Sequence, residues 1–392
     1  MDDRANNFDA LRFWAALAVL WSHAFPIALG VEHPQPLGSL SHGQTNLGSV
    51  AVAFFFVISG YLITRSFERS TSSWSFVRAR ALRIMPGLIV VLIAVAFLLG
   101  PLVTSIPLRE YFTSSAPYRY VVMQASFSGH AELPGVFEQN PVGHSNDSLW
   151  TLRYEVACYV LVFVLGYARV LTRYVTLGLY LAMVAALGVL EHLPGASGEV
   201  PGPDRLLDFT SLFLAGAVIY QWRVPLRASW AWAGFAIVAL CMFFGEYKTA
   251  QRIALPYVVI VLAQGVRWKL PSPIRLGDLS YGIYIYAWPI TQLAVMALPQ
   301  PTWFAVGLLA TPITLLLAWL SWHVIEKRAL ALKALDRRTR AIRLAFSLPN
   351  TGTLPFDSGR LSMGSADRPT RMSARVTIEN RAPSQARASD KS

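Results

Sequence analysis

Apolar residues fall into runs of about 20, separated by short stretches rich in Pro, Gly and charge, near 10–29, 48–66, 84–103, 148–167, 172–190, 205–222, 229–246, 252–266, 276–297 and 302–323. A helix of about 20 apolar residues crosses roughly 30 Å of hydrocarbon. The pattern therefore predicts an all-α polytopic membrane protein with about ten transmembrane helices. Segment 205–222 carries Asp208 near its start and 252–266 is short, so losing either would invert the topology after it.

Lys and Arg decide the orientation. They collect at 65–83, 168–173, 223–228, 267–275 and from 327 onward, whereas the intervening loops contribute only Arg109, Arg119 and Lys248. Cytoplasmic loops carry the positive charge, so both termini are expected to be cytoplasmic. The longest outer loop, 104–147, is of the kind that shapes a binding mouth.

Composition supports this class: 54% of residues are hydrophobic and only 14% charged, against about a quarter charged in soluble domains. The net charge of +12 would suggest nucleic acid if it were spread over the chain. From Lys327 to the end, however, there are 14 Lys/Arg and 5 Asp/Glu, so most of the excess belongs to one segment. Residues 340–392, rich in Ser, Arg, Pro and Ala, are expected to form a disordered basic cytoplasmic tail suited to an anionic lipid leaflet. The expected domains are thus 1–331 in the membrane and 340–392 outside it, with lipid rather than nucleic acid as the partner. Cys158 and Cys241 lie inside apolar segments and read as packing residues. Arg12 and His23 interrupt the first apolar run, which reads as a membrane helix rather than a cleaved leader.

Ionisable groups inside membrane helices are the candidate chemistry, because each costs about 2.5 kcal/mol or more at mid-membrane. In FDALRFWAALAVLWSH, Arg12 and His23 are eleven residues apart, which brings them to within roughly 20° on one helix face and about 16 Å apart along the axis. Arg12 could instead snorkel to the inner interface, and His23 could bond a neighbouring helix. In AFFFVISGYLITRSF, Ser59 and Gly60 leave room for a partner helix or a ligand. Arg80 and Arg83, three apart before IMPG, share a face suited to a phosphate-bearing ligand or serve as ordinary inner-side charges. Glu155, in NDSLWTLRYEVACY, sits about 10 Å from the outer end, at a depth similar to that of His23. A carboxylate and an imidazole at one level can form a base and its orienting partner. Tyr281, Tyr284, Tyr286 and Trp288 read first as an interfacial aromatic belt and second as a ligand surface. No Gly-rich phosphate loop, metal-ligand His/Cys cluster or G-x-S-x-G is present in the sequence, and no metal is expected.

In this order, the Arg-x10-His pair, FFFVISGYLIT, Arg-x-x-Arg before IMPG, SLWTLRYE, LGDLSYGIYIYAWP and SWHVIEKRAL resemble the acyltransferase 3 family of membrane O-acyltransferases, from about residue 7 to about 331. The resemblance implies transfer of an acyl group, acetyl from cytoplasmic acetyl-CoA, to a hydroxyl of an extracytoplasmic carbohydrate or glycolipid such as exopolysaccharide or lipopolysaccharide. It also implies residence in the inner (plasma) membrane. His23 matches the catalytic histidine, Arg12 its partner at the donor end, Arg80 and Arg83 the pair assigned to the CoA phosphates, and Glu155 the motif glutamate. Ser59 and Gly60 are assigned with them to the donor. Phe13 stands where many members have glycine, and Ala287 where many have histidine, so no second histidine role carries over. The rival class is a transporter or flippase in which Arg12, His23 and Glu155 form a substrate or proton path.

Overall fold

A computed structural model describes residues 6–129, 131–191, 203–266, 268–271 and 276–332; the expected tail at 340–392 lies outside the described residues. Among those residues the regular structure is helical, with one isolated antiparallel bridge between Thr104 and Val136. The helices are α1 Phe8–Leu29, α2 Pro36–Leu40, α3 Leu47–Glu68, α4 Ser73–Ala94, α5 Gly100–Val103, α6 Leu108–Thr113, α7 Ala116–Ala125, α8 Leu152–Tyr167, α9 Arg173–Glu191, α10 Pro203–Gln221, α11 Ala228–Phe244, α12 Tyr247–Ile253, α13 Leu255–Ile260, α14 Ser280–Ala297 and α15 Trp303–Ser321.

All ten expected apolar segments are helical. Among the described residues, six helical stretches are long and apolar enough to cross a membrane: Phe8–Leu29, Leu47–Glu68, Ser73–Val103, Asp147–Tyr167, Arg173–Glu191 and Trp303–Leu332. Ala228–Phe244 and Leu255–Gly265 are apolar but shorter. The chain is a multi-pass membrane protein. Helix α14 falls outside the six because Tyr281, Tyr284, Tyr286, Thr291 and Gln292 lower its hydropathy, and most of its residues are buried inside the protein, where side-chain and backbone partners replace lipid.

The boundary that differs most from expectation is the start of the third segment. The third long helix begins at Ser73 rather than near residue 84, because Ser72 caps it: its side chain accepts from the Ser75 amide, and the Ser75 hydroxyl reciprocates at the Ser72 amide. Arg80 and Arg83 therefore sit within a continuous helix. Further along, a π-helical turn at Val95–Leu99 precedes α5.

Helices α1, α3 and α14 form the centre, with α15 against α14 and α10 against α3. The α3–α10 approach depends on two glycines. A Cβ on Gly60 would lie 1.8 Å from the Phe213 carbonyl oxygen, and one on Gly216 would lie 2.1 Å from that of Val57. Close backbone contact of this kind is how helices associate where no hydrophobic force favours their packing.

Candidate active site

A cavity of about 300 Å³ opens between α1, α3, α4, α8 and α14. Arg12 enters it from α1, Ser59 from α3, Arg80 and Arg83 from α4, Glu155 and Tyr159 from α8, and Tyr281 and Tyr284 from α14. Seven positions read from the sequence, Arg12, Ser59, Arg80, Arg83, Glu155, Tyr281 and Tyr284, thus line one chamber, although they come from five helices.

The three arginines are not equivalent. Arg83 is fully engaged: Nη1 donates to Glu326 Oε2 at 2.9 Å and Nη2 to Asp278 Oδ2 at 2.6 Å, while the guanidinium lies over the rings of Tyr281 and Trp322. Arg12 Nη1 shares the same Asp278 oxygen at 3.3 Å. Asp278 is fixed in turn by the Ser280 hydroxyl at 2.7 Å, and the buried Glu326 by that of Ser321 at 3.0 Å. Arg80 makes no ion pair with a described residue. Its Nε is buried without an acceptor, and the guanidinium rests 5.9 Å from the centre of the Phe76 ring. A buried donor with no partner is costly unless a ligand satisfies it.

Glu155 is held within the chamber wall. One carboxylate oxygen accepts from Ser59 Oγ at 3.3 Å and from the Tyr159 hydroxyl in a short hydrogen bond. It makes no hydrogen bond to His23, so the expected pairing of these two is not formed. Similar depth did not bring them together, because Glu155 faces α3 while His23 meets α14. The His23 ring stands edge-on to Trp288, with centroids 4.7 Å apart, and it lies outside the chamber lining. Trp288 itself is fixed by donating to the His144 carbonyl at 2.8 Å. One unbroken helix carries both Arg12 and His23, with Pro26 beyond them. Trp288 lies one turn past Tyr284 on α14, so His23 sits beyond the chamber on the side of that helix's C-terminal end.

The aromatic run of α14 is not an interfacial belt. Tyr281, Tyr284 and Trp288 are all buried. Tyr281 donates to the Ile84 carbonyl at 2.7 Å, and Tyr284 donates to that of Ser148 at 2.8 Å while the Thr151 hydroxyl bonds to the same phenol oxygen. Of the Ser59-Gly60 pair, Ser59 lines the chamber and Gly60 faces Phe213. Asp278, Glu326 and Tyr159 are site residues that sequence reasoning missed. The signal available was an acid at each end of the closing helical pair, inside the LGDLSYG and SWHVIEK stretches.

Comparison with known proteins shows the family of the chain. An acyltransferase-domain family, acyltransferase 3, matches residues 6–323. The chain belongs to this family. The acyltransferase is 29% identical to an O-acetyl transferase of Shigella phage Sf6, over 83% of this chain and 96% of the relative. It is 29% identical to nodulation protein 10 of Rhizobium leguminosarum bv. viciae, over 84% and 94%, and 26% identical to the acyltransferase MdmB of Streptomyces mycarofaciens, over 72% and 78%. No solved structure matches this acyltransferase significantly.

Proposed function

We propose that this acyltransferase moves an acetyl group from cytoplasmic acetyl-CoA to a hydroxyl of an extracytoplasmic carbohydrate, in the inner (plasma) membrane, with ten crossing segments and both termini cytoplasmic. The observation that carries the donor assignment is Arg80. Its buried, unsatisfied guanidinium nitrogen lies in a chamber whose other two arginines are already held in place by Asp278 and Glu326. A phosphate-bearing ligand supplies the missing acceptor, and arginine is suited to such oxygens. Arg12 and Arg83, fixed by carboxylates, set the position and field of the site without reorganising when the ligand arrives.

His23 is the proposed general base. It takes the proton of the acceptor hydroxyl as that oxygen attacks the thioester carbonyl; the new C–O bond forms, the C–S bond breaks, and His23 returns the proton to the departing thiolate. The imidazole has no hydrogen bond to a described residue, which leaves a ring nitrogen free for this role, and the edge contact with Trp288 holds the ring. Glu155 works on the donor side in this reading, held by Ser59 and Tyr159.

Membrane vesicles carrying native surface glycans, supplied with labelled acetyl-CoA, test the proposal. Label should enter base-labile glycan ester with wild type and fall about 100- to 10,000-fold in His23→Ala at matched protein levels. Equal labelling by both would remove the proposed base, and no labelling by either would remove the function.

A further inference from the structure

A second cavity of about 300 Å³ lies at the N-terminal ends of α8 and α10, lined also by Gln124, Phe127 and Gly129. Its walls include Asp147, Trp150, Arg153 and Arg205, and Leu152 is shared with the donor chamber. The segment 147–155 thus divides its side chains between two spaces. Thr151 and Glu155 face the donor chamber, Trp150 and Arg153 face the second cavity, and Leu152 is the partition.

Both arginines are exposed and held against aromatic rings, with Asp147 as the carboxylate of the same lining. The Arg205 guanidinium lies over the Trp150 ring at 4.8 Å, and Trp150 is itself wedged against Tyr154 and Phe209. Arg153 lies over Tyr154 at 4.7 Å and donates to its hydroxyl at 2.9 Å. Neither makes an ion pair with a described residue. Aromatic faces orient a guanidinium while leaving most of its N–H groups available, which suits a grip on a carboxylate.

We infer that this second cavity is the acceptor subsite and that it selects an anionic sugar, whose carboxylate is gripped by Arg153 and Arg205 while the hydroxyl to be acylated points past Leu152. The identification as an acceptor site rests on the proposed acyl transfer, whereas recognition of an acidic sugar rests on the cavity alone. Leu152 belongs to both linings, so the two spaces lie side by side.

The test uses the full chain in phosphatidylcholine nanodiscs, with methyl glucuronide, methyl glucoside and glycerol phosphate as probes and saturation-transfer NMR as the readout. The glucuronide should bind, the glucoside should bind at least about 10-fold more weakly, and Arg205→Gln and Arg153→Gln should each weaken the glucuronide about 10-fold, with the thermal unfolding temperature unchanged. Equal binding of glucuronide and glucoside, or glucuronide binding untouched by both substitutions, would overturn the inference. Tighter binding of glycerol phosphate would assign the cavity to a lipid headgroup and also overturn it. If the glucuronide binds as expected but vesicles acylate no glycan, the proposed function fails while the acidic-sugar site stands. If vesicles acylate glycan but the glucuronide ignores both substitutions, the subsite fails alone.

Discussion

Two arginine clusters in this acyltransferase use the same chemistry for opposite ends. In one, Arg252 on α12 is 5% exposed and has every side of its fork occupied: Nε donates to Asp208 at 2.7 Å, and Nη1 and Nη2 grip Glu191 at 3.1 and 2.7 Å. One cation meets two carboxylates, and α9, α10 and α12 are tied together. In the other, Arg12, Arg80 and Arg83 surround a chamber; two of them share Asp278, and the third keeps a buried nitrogen without an acceptor. The first cluster is saturated and can only hold helices. The second is incomplete, and an incomplete buried site is one that a ligand can complete.

Substitutions can break or sharpen this contrast. The largest expected effect is on Arg252→Met, which strands two carboxylates and should cost about 3–5 kcal/mol of stability, read by thermal unfolding in detergent, while the folded fraction keeps its donor KM. An unchanged unfolding temperature would erase the difference between the clusters. Arg80→Gln should do the reverse. The donor KM rises about 10- to 100-fold, the value of a charge-assisted hydrogen bond of about 1.5–3 kcal/mol, with no loss of unfolding temperature because an unsatisfied donor is removed. Gly60→Ala separates packing from binding beside the chamber. Forcing α3 from α10 should cost about 1–3 kcal/mol of stability and leave the donor KM alone, whereas an effect on KM with stability intact would return Gly60 to the ligand. The smallest effect is expected for Tyr159→Phe, which frees one side of Glu155 and should reduce the efficiency of donor use by about 0.5–1.5 kcal/mol in kcat/KM.

How much of the site was legible depends on how far apart its members lie in the chain. Arg12 and His23 share one helix, and Arg80 and Arg83 one face of another, so helical spacing alone paired them. The partners that give the arginines their different states are remote: Asp278 is 266 residues from Arg12, and Glu326 is 243 from Arg83. Asp208, read from the sequence as a weakness in segment 205–222, and Arg252, which the sequence did not single out, satisfy each other across 44 residues. Of the two readings of the α14 aromatics, the interfacial belt failed for a related reason, while Tyr281 and Tyr284 do line the chamber. Composition suggests a Tyr- and Trp-rich helix at an interface, but burial on several sides turned those hydroxyls and indoles towards backbone carbonyls instead.

By itself, the sequence determined the helical membrane class, the placement of the apolar segments, the family, and the small set of ionisable residues that a membrane helix would not otherwise carry. Those follow from local physics, since helix length, period and the cost of a buried charge are properties of one segment. The tertiary structure alone decided that Glu155 faces Ser59 and Tyr159 rather than His23, that Arg80 is the unsatisfied arginine, and that Leu152 separates two cavities. Each of these depends on how far one helix is rotated and shifted against its neighbours. That is set by small-residue contacts such as Gly60 on Phe213 and by ion pairs between distant segments, neither of which has a local signature.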